Sequence, residues 1–358
     1  MKLNDREWGI FFIGDLFSVN RPPARNKDDY EVGDVPFVAS GSVNNGVMKC
    51  CKPLENENLD EAGCITVSPV DGSAFYQPYS FLGRGGAGSS ILMLYADNIN
   101  LYSGQFIAKM ISNTCACKYT YGHMGNKDGI KRERIMLPVD GNNNPDYKFM
   151  EYYVKELMAR KREQYLAYCK EQLKIFGGGY DLIPLAEKQW KPFFIGDIFD
   201  CFVPGKSKGL NHLEEDIVSG KSYIGATNRN NGVLSFVQAD KKLMQKGNAV
   251  GFIKNGNGSA GYAIYKYESF VSTSDVIFAY ANWLNKYIGL FITTCSDMSQ
   301  EKYSHGYKWT KERLLKSGIM LPVSEYETPD YDYMEKYSKN LMRKKIQSYI
   351  DYASKPIL

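Results

Sequence analysis

Two patterns of apolar residues alternate along the chain. Short apolar runs at 64–67, 90–95, 249–253 and 275–280, bounded by Gly, Asn and Pro, have the length and punctuation of strands. They fall within roughly 8 to 137 and 190 to 321. Helical spacing follows each block: Met150, Tyr153, Leu157, Tyr165, Tyr168 and Leu173 after the first, Met334, Tyr337, Leu341, Tyr349 and Tyr352 after the second. Both helical stretches open on Pro-Asp, at Pro145-Asp146 and Pro329-Asp330, where Pro followed by a capping Asp starts a helix. The pattern predicts an α+β chain of two β-rich regions, each followed by a long helix.

The sequence is also written twice. WGIFFIGDLF at 8–17 returns as WKPFFIGDIF at 190–199, at an offset of 182. IMLPV at 135–139 returns at 319–323, and 145–158 matches 329–342 at nine of fourteen positions, both at offset 184. Between these anchors the halves diverge: 42–47 faces 227–233 and 71–74 faces 257–260, with insertions around both. A shared scaffold with divergent loops suits a protein that reads two different things.

The helical stretches each carry one narrow apolar seam flanked by Lys155, Arg160, Lys161 and Arg162, or by Lys339, Arg343, Lys344 and Lys345. Such seams suit an antiparallel, coiled-coil-like pair with pseudo-two-fold symmetry. The alternative is that each helix caps its own domain. A helix of about 28 residues at roughly 1.5 Å each would hold two domains about 40 Å apart, comparable to one turn of B-DNA. Gly177, Gly178 and Gly179 break the first helix. The division is therefore a first domain at 1–144, a helix at 145–176, a linker at 177–189, a second domain at 190–328 and a second helix at 329–358.

Composition narrows the function classes. A chain of 358 residues with 44% hydrophobic content fills two cores, and its 14% aromatic residues favour β-rich domains. The net charge of +4 permits an anionic partner without establishing one. Eight cysteines show no CxxC pair, so they are read as reduced thiols. No signal-peptide run and no stretch approaching 18 apolar residues is found, which predicts a soluble cytoplasmic protein with no membrane partner.

The duplicated W-x-x-F-x-I-G-D-[LI]-F opening, I-M-L-P-V closing and P-D-Y-x-x-M-E-x-Y helix together resemble the DNA-specificity subunits of Type I restriction-modification systems. The similar subunits of Type IIB, BcgI-like systems are equally compatible. The resemblance covers nearly the whole chain. It implies two target-recognition domains, each reading one half of an interrupted double-stranded DNA target, with spacer helices that set the gap and bind modification subunits. It also implies a non-catalytic chain without a cofactor of its own. S-adenosylmethionine and a divalent metal would then belong to partner adenine methyltransferase and nuclease subunits. The helices of this chain are shorter than those of the longest Type I members.

Enzyme motifs are absent or misplaced. An adenine methyltransferase needs an [DNS]PP[YFW] loop, and the Pro-Pro pair here, Pro22-Pro23, stands between Arg21 and Ala24. Pro145-Asp146 and Pro329-Asp330 lack the acidic-x-Lys half of a metal-dependent nuclease. The GxGxxG strings at 83–88 and 256–261 lead into strand-like runs. Gly205-Lys206-Ser207 and Gly220-Lys221-Ser222 lack the leading Gly of a phosphate loop, and His123, His212 and His305 have no ligand cluster.

Candidate DNA contacts lie in loops. Tyr121 and His123 precede Lys127, Lys131, Arg132 and Arg134; Tyr303 and His305, in the matching place, precede Lys308, Trp309, Lys311, Arg313 and Lys316. Cations suit phosphates, and His, Tyr or Trp suit base edges and sugars, although a solvated basic surface reads the same. Asn44, Asn228, Arg229 and Asn230 offer amide or guanidinium readout, as do Gln77 and Arg84 in the first domain and Lys254, Asn255 and Asn257 in the second. Asn45 and Asn231, each before Gly, are read as turn residues. The competing class is a phage or host protein of similar fold that binds or blocks a restriction-modification complex without reading DNA.

Overall fold

Short apolar runs broken by turn residues fold as short strands, and the same succession of elements is built twice. The structure, a computed structural model, describes residues 2–86, 90–120, 122–207, 209–238, 240–256, 258–304 and 306–354. The first half comprises β1 (Trp8–Phe12), α1 (Ile13–Leu16), β2 (Ser18–Asn20), β3 (Val32–Val38), β4 (Val47–Cys51), β5 (Cys64–Val67), β6 (Ala74–Gln77), β7 (Leu82–Gly83), β8 (Leu92–Tyr95), α2 (Leu101–Cys115), α3 (Lys127–Arg132), β9 (Arg134–Pro138) and α4 (Tyr147–Phe176). The second comprises β10 (Trp190–Phe194), α5 (Ile195–Ile198), β11 (Cys201–Pro204), β12 (Lys221–Ile224), β13 (Val233–Val237), β14 (Ala249–Ile253), β15 (Ala263–Lys266), β16 (Val271–Ser272), β17 (Val276–Tyr280), α6 (Lys286–Asp297), α7 (Lys311–Leu315), β18 (Gly318–Pro322) and α8 (Tyr331–Ala353). The chain forms two compact units, 1–165 and 166–358.

In the first unit the anchor sequences join the ends of the domain: β1 pairs antiparallel with β9, Trp8 facing Pro138 and Phe12 facing Arg134. A four-stranded sheet runs β2-β8-β5-β6 and a three-stranded sheet runs β4-β3-β7, with β7 parallel to β3. Helix α2 starts where Asn100 accepts the backbone N–H groups of Tyr102 and Ser103. Its Phe106, Ile107 and Ile111 join Ile65, Val67, Leu94, Ile135 and Leu137 in the main core. Gly104 lets the helix lie on the Tyr76 ring, since a Cβ there would stand 2.2 Å from a ring carbon.

The second unit repeats these choices. Strand β10 pairs with β18, Trp190 facing Pro322, and the sheets run β11-β17-β14-β15 and β13-β12-β16. Asn285 caps α6, and Gly289 meets the Tyr265 ring at the same 2.2 Å. Trp190 stacks on Phe291 at 6.0 Å as Trp8 stacks on Phe106 at 6.1 Å.

The start of each long helix belongs to its own domain. Met150 and Val154 are buried in the first core with Tyr153 against them, and Met334 is buried in the second core with Tyr337 against it. Asn100 Nδ2 donates to Glu151 at 2.8 Å, and Asn285 Nδ2 donates to Glu335 at 2.8 Å. The first two residues of each predicted seam, Met150 and Tyr153 or Met334 and Tyr337, therefore seal a domain core and are not available to a helix partner. Among the described residues no helix is long and apolar enough to cross a membrane, and no group of three or more metal-binding side chains occurs.

Candidate nucleic-acid interface

The polarity of the three-stranded sheet gathers several candidate residues at one end. Strand β3 ends at Val38, which pairs with Val47 at the start of β4 and with Gly83 at the end of parallel β7. The turn at 39–46 and Arg84 therefore emerge together. Asn44 and Asn45 take left-handed φ values of 50° and 56° before Gly46 at 75°, which makes this a turn that Asn and Gly tolerate. Asn44 is exposed. Asn45 is tied down: its Nδ2 donates to the Tyr76 carbonyl at 3.1 Å and to Gln77 Oε1 at 3.2 Å.

Gln77 is a structural residue, contrary to the sequence expectation. It is 4% exposed, and its Nε2 donates to the Asn45 carbonyl at 3.1 Å and to Thr66 Oγ1 at 2.8 Å. Arg84 is half-buried, and its Nε is buried without a hydrogen-bond partner among the described residues. Its backbone is held firmly. Buried Arg25 donates to Glu57 and Asp60 at 2.6 Å each and to the Gly83 carbonyl at 2.9 Å, while Gly83 N–H donates to Asp60 at 2.8 Å. Burial alone would lower the Arg25 pKa, but Glu57 and Asp60 outweigh it and hold the guanidinium above its ordinary value.

The second domain gathers the corresponding loops around Asp275. Asn230 and Asn231 repeat the left-handed pair at 49° and 51°, and Asn231 Nδ2 donates to the Tyr265 carbonyl at 2.8 Å. Asn228, Arg229 and Asn230 are exposed at this turn. Ser259 Oγ donates to Asn228 Oδ1 at 3.4 Å, Asn255 Nδ2 donates to Asp275 at 3.2 Å, and Lys254 N–H donates to the Asp275 carbonyl at 2.9 Å. Lys254 and Asn255 are half-buried. Asn257 lies outside the described residues.

The basic segments adjoin these loops through one repeated backbone bond: Gly125 N–H donates to Pro69 O at 2.8 Å, and Trp309 N–H donates to Lys254 O at 3.0 Å. In the first domain His123 is exposed at the tip of a tight turn paired with Thr120; Lys127 and Lys131 on α3 are half-buried and Arg132 is exposed. In the second, Lys308, Lys311 and Arg313 are exposed, and Arg313 lies 4.0 Å over the Tyr307 ring with its Nη1 donating to Lys308 O at 2.8 Å. Tyr303 is half-buried, its hydroxyl 2.7 Å from Ser317 Oγ. Tyr121 and His305 lie outside the described residues.

Two further expectations are corrected. Trp309 is not a contact residue: it is 1% exposed, stacked on Tyr303 at 4.6 Å, edge-on to Phe252 at 5.2 Å, with Nε1 donating to Ser317 Oγ at 2.8 Å. His123 and His305 do not correspond either. The turn closed by Thr120 and His123 matches the one closed by Ser304 and Tyr307, so the partner of His123 is Tyr307. Strand register shows positions the sequence reading missed. Lys266 stands where Gln77 stands, opposite the first residue of the neighbouring strand, and Thr273 follows β16 as Arg84 follows β7. Lys266 is 4% exposed, and burial lowers its pKa.

The duplicated frame with divergent loops is matched over 5–167 and again over 187–349 by the family model for the Type I restriction modification DNA specificity domain. The chain belongs to this family. It carries two DNA-specificity domains and is a specificity subunit of a restriction-modification system. It is 26% identical over 348 residues to the specificity subunit of the Type II restriction enzyme BgcI, S.BcgI, from Heyndrickxia coagulans, covering 94% of this chain and 95% of that one. Among solved structures it is similar to the S subunit of a Type I system from M. genitalium, with TM-score 0.49, 15% identity and coverage of 99% and 94%. It is also similar to the HsdS subunit of Thermoanaerobacter tengcongensis, with TM-score 0.31, 13% identity and coverage of 97% and 90%. The comparisons give no support to a blocking protein of similar fold.

Proposed function

We propose that this specificity subunit reads an interrupted double-stranded DNA target, one half with each domain, and directs a partner adenine-N6 methyltransferase and nuclease to it. It is itself non-catalytic and acts in the cytoplasm. The methyltransferase uses S-adenosylmethionine and the nuclease a divalent metal, both held outside this chain. The observation that carries the reading is the pairing of a preserved frame with altered residues in and beneath the loops: Arg84 against Thr273 at the loop end and, below it, buried Gln77 against buried Lys266 and Gly125 against buried Trp309. Two domains built for the same target would have no physical reason to differ there.

The exposed cations Arg132, Lys308, Lys311 and Arg313 serve as phosphate contacts, which fix the register of each domain on the duplex. Asn44 in the first domain and Asn228, Arg229 and Asn230 in the second are the base-edge candidates, because amides and guanidinium groups make paired bonds to adenine and guanine. The spacer helices set the gap. The test is methylome sequencing of cells carrying this chain with its cognate methyltransferase, against cells with the methyltransferase alone. An interrupted adenine-methylated motif that requires this chain supports the reading; unchanged methylation with both proteins expressed and the methyltransferase active contradicts it.

A further inference from the structure

A turn and a short helix precede the last strand of each domain, and the two copies differ in how their charges are paired. In the first domain Lys118 is ion-paired with Glu133, whose Oε1 also accepts the Tyr119 hydroxyl at 3.3 Å. The strand register, with Phe12 facing Arg134 and Phe194 facing Gly318, and the matching turns set the correspondence. Ser317 stands for Glu133, Lys316 for Arg132, Arg313 for Gly129 and Lys302 for Lys118. Ser317 carries no charge, and its hydroxyl is engaged by Tyr303, Trp309 and the Arg313 carbonyl. Lys302 therefore lacks the partner that Lys118 has, and Arg313 projects where the first domain has no side chain.

Between these residues lies a cavity of about 440 Å³, lined by Lys302, Arg313 and Lys316 with Tyr303 and Tyr307. The two tyrosine rings lie 16° from parallel with centroids 6.1 Å apart, and Arg313 covers Tyr307 at 4.0 Å. Lys302 and Lys316 are exposed and have no ion pair among the described residues. Glu312 also lines the cavity and Asp197 stands beside Lys316, both outside ion-pair distance. Three cations against two carboxylates leave a positive concavity, and its ring walls focus that field.

The imbalance extends over the whole of each domain. Residues 1–144 hold fourteen basic and sixteen acidic side chains, whereas residues 190–328 hold sixteen basic and thirteen acidic. One matched backbone position reverses sign: the Tyr95 hydroxyl donates to Glu61 O at 3.1 Å and the Tyr280 hydroxyl to Lys246 O at 3.0 Å, with both charged residues exposed. We propose that the cavity at Lys302, Arg313 and Lys316 takes one phosphodiester group of the DNA backbone, and that the second domain thereby supplies the larger share of the electrostatic hold on the duplex. A phosphodiester brings a negative charge and two acceptor oxygens to three cationic donors, whereas a neutral base edge would gain little from them. In the first domain Glu133 neutralises Lys118 and Gly129 offers no guanidinium, so the matching place has no such site. The proposal rests on the DNA reading argued above and adds to it an unequal division between the domains.

Fluorescence anisotropy of the full chain with its cognate methyltransferase tests it, on a labelled duplex that holds the target and on an unrelated duplex, over a series of salt concentrations. Lys302→Gln with Lys316→Gln flattens the slope of log K against log salt by about 0.9, the value for one phosphate contact. Both duplexes weaken by the same factor, because a phosphate contact carries no sequence information. Lys302→Arg with Lys316→Arg keeps the wild-type slope. Lys118→Gln with Glu133→Gln removes the first-domain pair as a neutral unit and leaves the slope unchanged. Lys302→Gln alone, outside α7, flattens the slope in the same direction and keeps the test decisive if the double variant misfolds. An unaltered slope in both Gln variants of the second domain, or equal flattening by the first-domain pair, overturns the proposal while leaving DNA binding intact. Weakening confined to the target duplex assigns the cavity to base readout, and loss of the methyltransferase in native mass spectrometry assigns it to a protein contact; either overturns the proposal. Absence of DNA binding by the wild-type assembly overturns the DNA reading as well.

Discussion

The two domains are the same in their closing strand pairs and helix packing and different at the ends of β3 and β12 and at several buried positions. Shared parts reach to individual contacts: Phe106 meets Tyr153 edge-on at 5.9 Å and Phe291 meets Tyr337 at 5.8 Å, while Lys155 lies 4.8 Å over Tyr102 and Lys339 lies 5.0 Å over Tyr287. The unshared parts alter charge and volume. Burial of one lysine, Lys266, in place of the amide Gln77 changes the floor beside the Asn turn, and Trp309 fills space that Gly125 leaves to the Tyr119 ring, 2.6 Å from where a Cβ would stand. The lesson is that substitutions in the shared frame should act alike in both halves, and those at unshared positions, buried or exposed, should not.

The largest expected break in the symmetry is at Trp309. Trp309→Ala removes the ring that Phe252 and Tyr303 pack against, and the second domain should lose about 3–5 kcal/mol while the first is unchanged. Hydrogen–deuterium exchange resolved by domain reads this directly; equal loss of protection in both would show that the domains do not fold independently. The frame should respond evenly: Gly104→Ala and Gly289→Ala each drive a methyl into a tyrosine ring and should each cost about 1–3 kcal/mol, measured by the same exchange experiment. A clear inequality between them would mean that the frame is not shared in energy as it is in shape.

The smallest expected effect sharpens the comparison through pH. At the first residue of β6 and of β15 the backbone N–H is satisfied by a side chain from the neighbouring helix, Ser112 Oγ for Ala74 at 2.8 Å and Asp297 Oδ1 for Ala263 at 2.8 Å. Burial pushes the Asp297 carboxyl up to about 6, against the pull of that N–H. A carboxyl with a higher pKa in the fold than in the unfolded chain takes up a proton on folding. Its contribution to stability is therefore fully present below the ordinary value of 3.8 and is lost as pH rises through about 6. The melting temperature of the second domain should fall over that window by more than that of the first. Asp297→Asn should flatten the dependence and leave the second domain more stable than wild type above about pH 6. Tryptophan fluorescence follows it, since Trp190, Trp283 and Trp309 lie in the second domain and Trp8 alone in the first. An unchanged slope in the variant would remove Asp297 from the account.

The frame was legible in the sequence because its anchors are the residues that close the domain and fill its cores. Ile13, Ile135 and Leu137, with Ile195, Ile319 and Leu321, are buried, and Asp146 and Asp330 accept the N–H groups of Phe149 and Tyr333 at 2.9 and 3.0 Å as helix caps. The loops were less legible for separable reasons. The burial of Gln77 and Trp309 depends on Asn45 and Phe252, partners distant along the chain that composition does not reveal. Matching Tyr-x-His strings paired His123 with His305, but the backbone bonds of Thr120 and Ser304 set the register two residues away. Periodicity found the apolar stripe of each long helix without showing that Met150 and Met334 face their own domains.

Because β1 and β9, like β10 and β18, bring the two ends of a domain together in one register, a domain can be exchanged as a cassette. Replacing residues 190–322 with residues 8–138 gives a chain with two copies of the first reader, and methylome sequencing of cells carrying it with the methyltransferase tests the central claim most directly. The account predicts an interrupted target in which the half belonging to the first domain occurs twice and the other half is gone. Persistence of the original second half, with the chimera soluble and methylation active, would contradict it.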